Sequence, residues 1–410
     1  MDKTASIILA GGQGTRLHPL TQNRCKPSVC YGGRYRLIDI PISNSLNAQI
    51  HKIFVISQYF TSSLHEHIQN TYPSGNSSIS IEFLCPVECT REKMCFKGTA
   101  DAIRKSLWRF EAIPVDYFLI LSGDQLYNID FHQMLAFAKA QDADLTIASL
   151  AVEENEAKRM GLLQADARFN VKQFVEKPSD PHILKQYALK PRFLKGHCVP
   201  HPEKTHFLAS MGIYIFKKEA LFNLLKEQGD DFGKDLIPLQ VKKGKTSAYV
   251  YKGYWEDVGT VASFYQANIA LTKQENCLNT YDERNPIFTQ MHHLPNPLIK
   301  ETIVTQSIIG QGTVIEAKEI SNSVIGARLK IGKGSIIRGC VLLGTSSNDY
   351  SIGENCLLQK VILDEGSSVG NNVQLTNRKG LETFEEGGIF IRDGIIIVTS
   401  GTKVPDGYIL

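Results

Sequence analysis

The sequence predicts an α/β domain with a Rossmann-like, mostly parallel sheet, followed by a parallel β-helix. Three observations lead to this prediction. Apolar strand segments alternate with helical segments up to about residue 270, a stretch with several prolines and asparagines follows, and an apolar residue then recurs about every six positions. Strand–helix alternation is typical of parallel sheets covered by helices, and a hexapeptide repeat is typical of a β-helix.

The first strand, residues 6–10, leads into a loop that contains Gly11, Gly12 and Gly14. Glycine lets the backbone turn and lets a ligand approach the main chain closely, and successive N–H groups can then converge on an anion. Arg16 adds a planar, permanently charged group suited to phosphate oxygens. A plain turn after a first strand has the same composition, so the loop alone leaves both interpretations open.

Two well-known phosphate loops do not fit this segment. A P-loop requires Gly-Lys-Ser/Thr, whereas Gly14 is followed by threonine and arginine. A dinucleotide fingerprint requires a third glycine where this chain has Leu17. Because Lys26, just before a proline, adds another cation nearby, the segment predicts a polyphosphate substrate.

Later strands and helices place further candidates beside this loop. The strand segments span residues 53–56, 117–121, 145–148 and 212–216, and the helical segments span 100–110 and 131–140. Ligands of such sheets bind at the carboxyl ends of the parallel strands. Gly123 and Asp124 follow the strand that ends at residue 121, so we expect them on the same rim as the glycine loop.

Two aspartates are the candidate metal ligands. Asp124 follows an apolar strand and a Ser-Gly turn, and Asp257 lies in a Tyr-Trp-Glu-Asp-Val-Gly segment. Mg²⁺ is a hard cation that proteins usually hold with one or two carboxylates plus substrate phosphates. An aspartate after a strand is also a common turn or helix-capping residue, so the metal prediction depends on the two side chains meeting in the fold.

Two further segments carry candidate binding groups. Glu176 and Lys177 follow a strand-like run; the lysine suits a phosphate and the glutamate suits hydroxyl groups, although a solvated Glu–Lys pair has the same sequence. Gly98 and Thr99 begin a helical segment whose free N–H groups can face a base or a phosphate, or simply be capped. No nucleophile pattern such as Ser/His/Asp stands out, which agrees with phosphoryl or nucleotidyl transfer, because positioning and charge neutralisation do most of that chemistry.

The sequence changes character after residue 274. Residues 275–298 contain several prolines and asparagines and predict a linker between domains at 1–274 and 299–410. Apolar residues then recur at Ile325, Ile331, Ile337 and Leu343 and again at Leu357, Leu363, Val369 and Leu375, with outlying copies at Ile309 and Ile352. In a β-helix one residue in six points inward and stacks on its copies in neighbouring coils; ordinary strands with glycine turns are the alternative.

The composition disfavours several classes of protein. A chain of 410 residues, 42% hydrophobic and 21% charged, is typical of a globular protein with two domains. A net charge of +3 without a basic run does not favour nucleic-acid binding. Nine cysteines without Cys-x-x-Cys spacing favour reduced thiols in a cytoplasmic protein; Cys85, Cys89 and Cys95 cluster, but lack nearby histidine partners for a metal. We expect no signal peptide and no membrane span.

The motifs together resemble one family. The chain is similar, almost from end to end, to the ADP-glucose pyrophosphorylases (glucose-1-phosphate adenylyltransferases), a branch of the sugar-1-phosphate nucleotidylyltransferases. The resemblance is carried by the hexapeptide repeats and by residues 8–17, 26–27, 35–44, 57–59, 98–102, 122–124, 174–178, 209–214, 231–235 and 254–259. It implies a GT-A-like nucleotidyltransferase domain followed by a left-handed parallel β-helix.

The resemblance also implies an activity and its partners. ATP and glucose 1-phosphate would give ADP-glucose and pyrophosphate, the activated-glucose step of glycogen or starch synthesis, with Mg²⁺ as cofactor. The protein would be a cytoplasmic, allosteric homotetramer without nucleic-acid or membrane partners. Because the attacking phosphate is already an anion, the main task is to neutralise two polyanions rather than to supply a strong base.

Roles for individual residues follow from the same resemblance. Asp124 and Asp257 would hold Mg²⁺, and Arg16 and Lys26 would complete the catalytic set. The residues expected around the nucleotide are Leu9, Ala10, Gly11, Gly12, Gly14, Thr15, Arg16, Gln58, Gly98 and Thr99. The residues expected around the sugar phosphate are Phe96, Gly161, Glu176, Lys177 and Ser210.

Several positions depart from the family. Cys95 replaces a usual tryptophan, and Asn23 stands where some bacterial relatives have an effector-binding lysine. Glu365 and Ser400 stand where plant and cyanobacterial relatives have regulatory lysines. These changes predict weak or altered activation by phosphorylated sugars, and a large rate increase with fructose 1,6-bisphosphate or 3-phosphoglycerate would refute this.

Three alternatives stay open at the level of sequence. Use of another nucleotide or sugar phosphate is the first, because the phosphate loop is shared across the superfamily. A regulatory subunit without catalysis is the second, and the presence of all the expected site residues argues against it: Arg16, Lys26, Asp124, Lys177 and Asp257. A β-helix acyltransferase is the third, and the repeat segment carries no obvious catalytic histidine.

Overall fold

The computed structural model describes residues 3–72, 79–86, 96–190, 204–344 and 351–410. In its amino-terminal part the strands are β1 Thr4–Leu9, β2 Cys30–Tyr31, β3 Tyr35–Arg36, β4 Lys52–Ile56, β5 Ser80–Leu84, β6 Tyr117–Ser122, β7 Gln125–Tyr127, β8 Leu145–Glu153, β9 Gly161–Ala165, β10 Val171–Glu176, β11 His206–Lys217, β12 Thr246–Val250 and β13 Trp255–Asp257. The α-helices are α1 Asp39–Asn47, α2 Thr61–Thr71, α3 Thr99–Lys105, α4 Leu107–Glu111, α5 Phe131–Ala140, α6 Glu154–Ala157, α7 Pro181–Tyr187, α8 Lys218–Leu225, α9 Ile237–Lys243 and α10 Val261–Lys273. Short 3-10 turns span Thr15–Leu17 and Lys26–Ser28, and a π-helical turn spans Phe232–Leu236.

A mixed sheet forms the centre of this part. Its strand order is β10-β9-β11-β6-β1-β4-β5, and β8 pairs with β11 and β12. The run β6-β1-β4-β5 is parallel, whereas β11 is antiparallel to both β6 and β8. The predicted α/β class is confirmed, with antiparallel strands added on one side of a parallel core.

Helices cover both faces of this sheet. Along β1, Ala5 and Ile7 face one apolar cluster and Ile8 faces another, as expected from the alternation of side chains in a strand. The first cluster includes Ile103, Phe110 and Leu221 from α3, α4 and α8, and the second includes Ile42, Leu64 and Met134 from α1, α2 and α5. Since the faces are covered, the strand ends remain available for ligands.

The predicted rim is confirmed. Because β1 and β6 are parallel, with Leu9 opposite Ser122, the chain leaves both strands at the same edge of the sheet. The backbone N–H of Gly123 donates to the carbonyl oxygen of Leu9 at 2.9 Å, which ties the two loops together. The glycine loop and Asp124 therefore start from adjacent points.

The prediction of one continuous helix over residues 100–110 is wrong. Residues 100–110 form two helices, α3 and α4, separated at Ser106. The hydroxyl of Ser106 donates to the carbonyl oxygen of Ala102 at 3.0 Å, a local bond of the kind that competes with regular helix. The predicted helix at 131–140 is confirmed as α5, which begins with Asp130 as its capping residue.

The carboxyl-terminal part is a left-handed parallel β-helix. Its strands are β14 Leu298–Ile299, β15 Ile303–Thr305, β16 Ile308–Ile309, β17 Val314–Ile315, β18 Glu319–Ser321, β19 Val324–Ile325, β20 Lys330–Ile331, β21 Ile336–Arg338, β22 Val341–Leu342, β23 Ser351–Ile352, β24 Leu357–Gln359, β25 Val361–Leu363, β26 Ser368–Val369, β27 Gln374–Leu375, β28 Thr383–Glu386, β29 Ile389–Arg392, β30 Ile395–Val398 and β31 Lys403–Val404. They stack in three sheets, ordered β14-β17-β20-β23-β26-β31, β15-β18-β21-β24-β27 and β16-β19-β22-β25-β30-β29-β28.

The hexapeptide prediction is confirmed for most of its inward residues. Buried in the interior are Ile325, Ile331, Ile337, Ile352, Leu363, Val369 and Leu375, with Ile309 partly buried against them. Leu343 and Leu357 are off by one position, because Leu342 and Leu358 occupy the interior instead. Gly339 and Lys360 have left-handed backbone conformations at corners that lead from the second of these sheets to the third. At each of these corners the spacing between inward residues is one residue shorter than in a strict six-residue repeat.

The two parts pack against each other through α10. Phe264 and Leu271 of this helix belong to the same apolar cluster as Val341 and Ile362 of the β-helix. The hydroxyl of Tyr265 donates to the carbonyl oxygen of Gly339 at 2.7 Å. Leu343, which points away from the β-helix interior, joins the same cluster.

Buried polar contacts also fix the segment that joins the two parts. The Thr289 hydroxyl donates to Asp39 at 2.6 Å, and the Phe288 backbone N–H donates to the Ser43 hydroxyl at 2.8 Å. The Asp39 carboxylate is fully buried and also accepts a hydrogen bond from Tyr72. Phe288 and Thr289 of the predicted linker are therefore bound to the amino-terminal part through buried polar groups.

Two further sequence expectations concern the cysteine cluster and membrane spans. Of the cysteine cluster only Cys85 lies within the described residues, where it is an exposed free thiol; Cys89, Cys95 and Cys198 lie outside them. Among the helices that the structure describes, none combines the length and apolar character needed to cross a bilayer.

Candidate active site

A cavity of about 670 Å³ opens at the carboxyl ends of β1 and β6. It is lined by most of the residues that the sequence singled out: Leu9, Ala10, Gly11, Gly12, Lys26, Gln58, Phe96, Gly98, Thr99, Asp124, Gly161, Glu176, Lys177, Ser210 and Asp257. Segments far apart along the chain meet here because the strand ends share one rim. The cavity is therefore the candidate active site.

Lys26 joins the two candidate metal ligands. Its Nζ donates to Asp124 Oδ2 at 2.6 Å and to Asp257 Oδ1 at 3.3 Å. Antiparallel pairing of β13 with β7 brings Asp257 opposite Gln125 and so beside Asp124. Burial alone would lower the pKa of Lys26, but the two carboxylates outweigh it and raise this pKa above its ordinary value, so the side chain stays charged at neutral pH.

Gly14, Thr15 and Arg16 lie outside the set of residues that line the cavity. Gly14 has a left-handed φ of 64°, and a Cβ there would approach Lys26 to 3.1 Å, so this glycine shapes the turn around the lysine. The Arg16 guanidinium lies beside Gly259, about 3.5 Å from where a Cβ on that glycine would sit. Arg16 thus adjoins the segment that carries Asp257.

Gln58 connects the glycine loop to the opposite wall. Its Nε2 donates to the carbonyl oxygen of Gly11 at 3.3 Å, and its Oε1 accepts from the backbone N–H of Phe96 at 2.9 Å. Both neighbours line the cavity. Gln58 therefore holds together two backbone segments that the sequence assigned to different substrates.

Glu176 occupies space that two glycines leave free. A Cβ on Gly161 would come within 2.7 Å of the Glu176 carboxylate, and one on Gly233 within 2.9 Å. Burial raises the pKa of Glu176, and the neighbouring Lys177 ammonium, 3.3 Å away, partly opposes the shift. The Lys177 side chain lines the cavity and is 63% exposed, so its ion pair with Glu176 is open to solvent.

Ser210 reaches the cavity through an irregularity in β11. The register with β8 shifts between Ser210 and Tyr214, and Gly212 there has a φ of 71°. Gln125 fixes the bulge by donating to the carbonyl oxygen of Met211 at 2.9 Å. Bulges of this kind redirect side chains beside functional sites.

Gly98 begins α3 in direct contact with a loop of the opposite wall. The carbonyl oxygen of Asp230 accepts from the backbone N–H groups of Ala100 and Asp101, at 2.8 and 3.2 Å. A Cβ on Gly98 would overlap this oxygen. The glycine is needed so that the loop can cap the helix.

We therefore expect Gly98→Ala to lower the free energy of unfolding by about 1–3 kcal/mol, because the helix and the loop must move apart. Gly12→Ala is the matched control, since a Cβ there meets nothing within 4 Å and stability should change by less than about 0.5 kcal/mol. Urea unfolding followed by circular dichroism measures both. Equal stability of the two variants would contradict this reading of Gly98.

Two known protein families match this chain, one in each of its two parts. The nucleotidyl transferase family matches residues 5–274, which include every residue of the cavity. The chain belongs to the nucleotidyl transferase family. Residues 292–409 match the GLGC left-handed parallel beta-helix domain, in agreement with the three stacked sheets described above.

The sequence did not assign one wall of this nucleotidyl transferase cavity. Asp231, Phe232 and Gly233 line it, next to Thr99, whose hydroxyl accepts from the Phe232 backbone N–H at 2.9 Å. Other unassigned residues of the lining include Lys97, Arg159, Tyr214 and Trp255. The Asp-Phe-Gly run at 231–233 supported the family resemblance, but nothing in its spacing indicated contact with residues 98–99.

The residues present fit a divalent cation. Carboxylate oxygens of both residues lie within 2.6 and 3.3 Å of one lysine nitrogen, so the two acids face a common point. Their side chains are 26% and 45% exposed and face the cavity. This hard, oxygen-only donor set suits Mg²⁺ together with substrate phosphates, although the described residues form no group of three or more acidic, histidine or cysteine ligands.

The departures from the family at Asn23, Glu365 and Ser400 meet in one place. All three line a cleft of about 190 Å³ between the amino-terminal part and the β-helix. There Arg24 forms ion pairs with Asp364 and Glu365, and Arg36 lies 3.5 Å from Glu365. Carboxylates of the chain itself thus neutralise the arginines; weak activation by phosphorylated sugars stays a prediction. Cys95 lies outside the described residues.

Proposed function

We propose that this nucleotidyl transferase moves the adenylyl group of ATP to glucose 1-phosphate, giving ADP-glucose and pyrophosphate. The single observation that carries the proposal is the Asp124–Lys26–Asp257 cluster at the rim of a phosphate-loop cavity. The choice of ATP and glucose 1-phosphate is supported by the resemblance of the motifs and by the GLGC-type β-helix domain. The same resemblance and the same domain match support a role in glycogen or starch synthesis.

The reaction follows from the placement of charges. An oxygen of the sugar phosphate attacks the α-phosphorus in line; a new P–O bond forms as the bond to pyrophosphate breaks, and the leaving group takes the electron pair. Asp124 and Asp257 would hold Mg²⁺, which as a bound Lewis acid would neutralise charge on the phosphates. Backbone N–H groups of Gly11 and Gly12 and the Lys26 ammonium would bind the triphosphate.

The far wall would bind and orient the sugar phosphate. Lys177 would bind its phosphate as a point charge, and Glu176 would accept hydrogen bonds from sugar hydroxyls. Ser210 and Gly161 complete this wall, the first through its hydroxyl and the second by leaving room for Glu176. The protein would then hold the two substrates in line and neutralise their charge, because the nucleophile needs no deprotonation.

Substrate choice is tested by pyrophosphate release from ATP, UTP and dTTP, each with glucose 1-phosphate and other sugar 1-phosphates. We expect the highest kcat/KM for ATP with glucose 1-phosphate, by about tenfold or more, which corresponds to about 1.4 kcal/mol in the transition state. A higher kcat/KM with another pair would reassign the substrates and leave the reaction class intact. No pyrophosphate release from any pair would favour a non-catalytic, regulatory subunit instead.

The resemblance also supports a cytoplasmic homotetramer that associates partly through the β-helix. Exposed apolar residues at the first coils, including Leu298, Ile299 and Ile303, are consistent with such contacts. Sedimentation analysis of the full chain tests this part of the proposal, and a monomer at micromolar concentration would contradict it.

A further inference from the structure

The Lys26 ammonium forms ion pairs with Asp124 and Asp257, the two residues that we assign to the metal. Its side chain is 8% exposed, and both of its described ion pairs are with Asp124 and Asp257. The lysine sits on the 3-10 turn Lys26–Ser28, with Gly14 packed close to its Cβ. The fold therefore directs this ammonium toward the carboxylates.

The two carboxylates are more accessible from the cavity than the lysine is. Their side chains are more exposed than that of Lys26, and both line the cavity. A cation that enters the cavity therefore meets both carboxylates. It would, however, contact oxygens that already accept hydrogen bonds from an ammonium group, and like charges at this distance repel each other.

We propose that Lys26 is a stand-in cation that must release Asp124 and Asp257 before a divalent cation binds them. In the protein without substrates the ammonium neutralises the two acids and keeps them together. The divalent cation then binds strongly only together with a nucleotide, whose phosphates accept the displaced ammonium. This inference rests on the proposed function, because it assigns the phosphates to the cavity that Lys26 lines.

Two consequences distinguish this role from that of a lysine that only binds phosphate. Without nucleotide, removing the Lys26 charge should strengthen metal binding, because the competitor is gone. With nucleotide, removing it should weaken the mutual enhancement of metal and nucleotide affinity, and this coupling is reciprocal by linkage. A lysine that only binds phosphate would leave metal affinity in the absence of nucleotide unchanged.

The test is the affinity of the full chain for Mn²⁺, measured from the electron paramagnetic resonance signal of the free ion without nucleotide. We expect Lys26→Met to bind Mn²⁺ about ten- to a hundredfold more tightly than the wild type, because charge-assisted hydrogen bonds no longer compete. Lys97→Met is the matched control: it removes one positive charge from the same cavity. Lys97 has no described ion pair with either aspartate, so we expect a change of less than about threefold.

Two further variants define the outcome. Asp124→Asn in the Lys26→Met background should abolish the gain, which identifies the site. Lys26→Gln keeps hydrogen-bond donors without charge and serves if Lys26→Met fails to fold; a gain of about tenfold is expected. Mn²⁺ affinity equal to that of the wild type in the folded lysine variant would overturn the inference.

Failure of this inference can be told apart from failure of the proposed function. Unchanged Mn²⁺ affinity with intact pyrophosphate release would overturn only the exchange at Lys26. Tighter Mn²⁺ binding without pyrophosphate release from any substrate pair would support the exchange at the carboxylates and overturn the proposed reaction. With the inert analogue α,β-methylene-ATP, we expect the wild type to gain more Mn²⁺ affinity than Lys26→Met does; an equal gain would overturn the proposed destination of the ammonium.

Discussion

Asp124→Asn is expected to lower kcat for pyrophosphate release by about a thousandfold, the range observed when one group that stabilises transition-state charge is removed. Asparagine keeps the size of the side chain but removes its charge. It therefore weakens the metal site that Asp124 would form with Asp257, and leaves Lys26 with one acidic partner instead of two. The assay is pyrophosphate release at saturating ATP and glucose 1-phosphate.

Asp130→Asn is the matched control for this variant. Asp130 is also an aspartate that follows a strand, but it caps α5 by accepting from the backbone N–H groups of His132 and Gln133, away from the cavity lining. Asparagine is a good capping residue as well, so kcat should change by less than about twofold. Comparable activity of both variants would contradict a catalytic role for Asp124.

Arg24→Met is expected to lower the free energy of unfolding by about 3–5 kcal/mol, the cost of leaving a buried charge without its partner. The Asp364 side chain is 3% exposed and forms an ion pair with Arg24. Burial raises the pKa of Asp364 even with that arginine present, so without it the carboxylate must be protonated or rehydrated. Urea unfolding followed by fluorescence and circular dichroism measures the loss.

Arg338→Met is the control for the interdomain pair. Arg338 also pairs with a glutamate, Glu319, but its side chain is 50% exposed on the surface of the β-helix. Exposed pairs contribute about 0–1 kcal/mol. If Arg24→Met costs no more than Arg338→Met, the contact between the two parts depends on the apolar cluster around α10 and not on the buried charges.

Local patterns made much of the fold predictable. The strand at 117–121 and the helix at 131–140 are set by apolar spacing and by an Asp130 cap, which act within a few residues. The break at Ser106 was not predicted, because it depends on which hydrogen bond a serine hydroxyl makes. The phase of the β-helix repeat changes at Gly339, because a short corner alters the residue count without altering the composition.

The candidate site, like the fold, was predictable only in part from the sequence. Residues of the glycine loop and Asp124 were predictable because each directly follows a strand, and parallel strands end at one rim. Asp231 and Phe232 were not assigned, because they reach the cavity only through the contact of their loop with Gly98 and Thr99. The bond between Lys26 and both aspartates could not be predicted from sequence, since it joins three separate segments.

We propose that Asp124 and Asp257 hold one divalent cation between the two phosphate substrates. The most direct measurement is a crystal structure with Mn²⁺, α,β-methylene-ATP and glucose 1-phosphate, in which anomalous scattering locates the metal. We predict one Mn²⁺ ion bound by carboxylate oxygens of both aspartates, in contact with phosphate oxygens of the nucleotide. Nucleotide bound in the cavity with Mn²⁺ contacting neither aspartate would contradict the account.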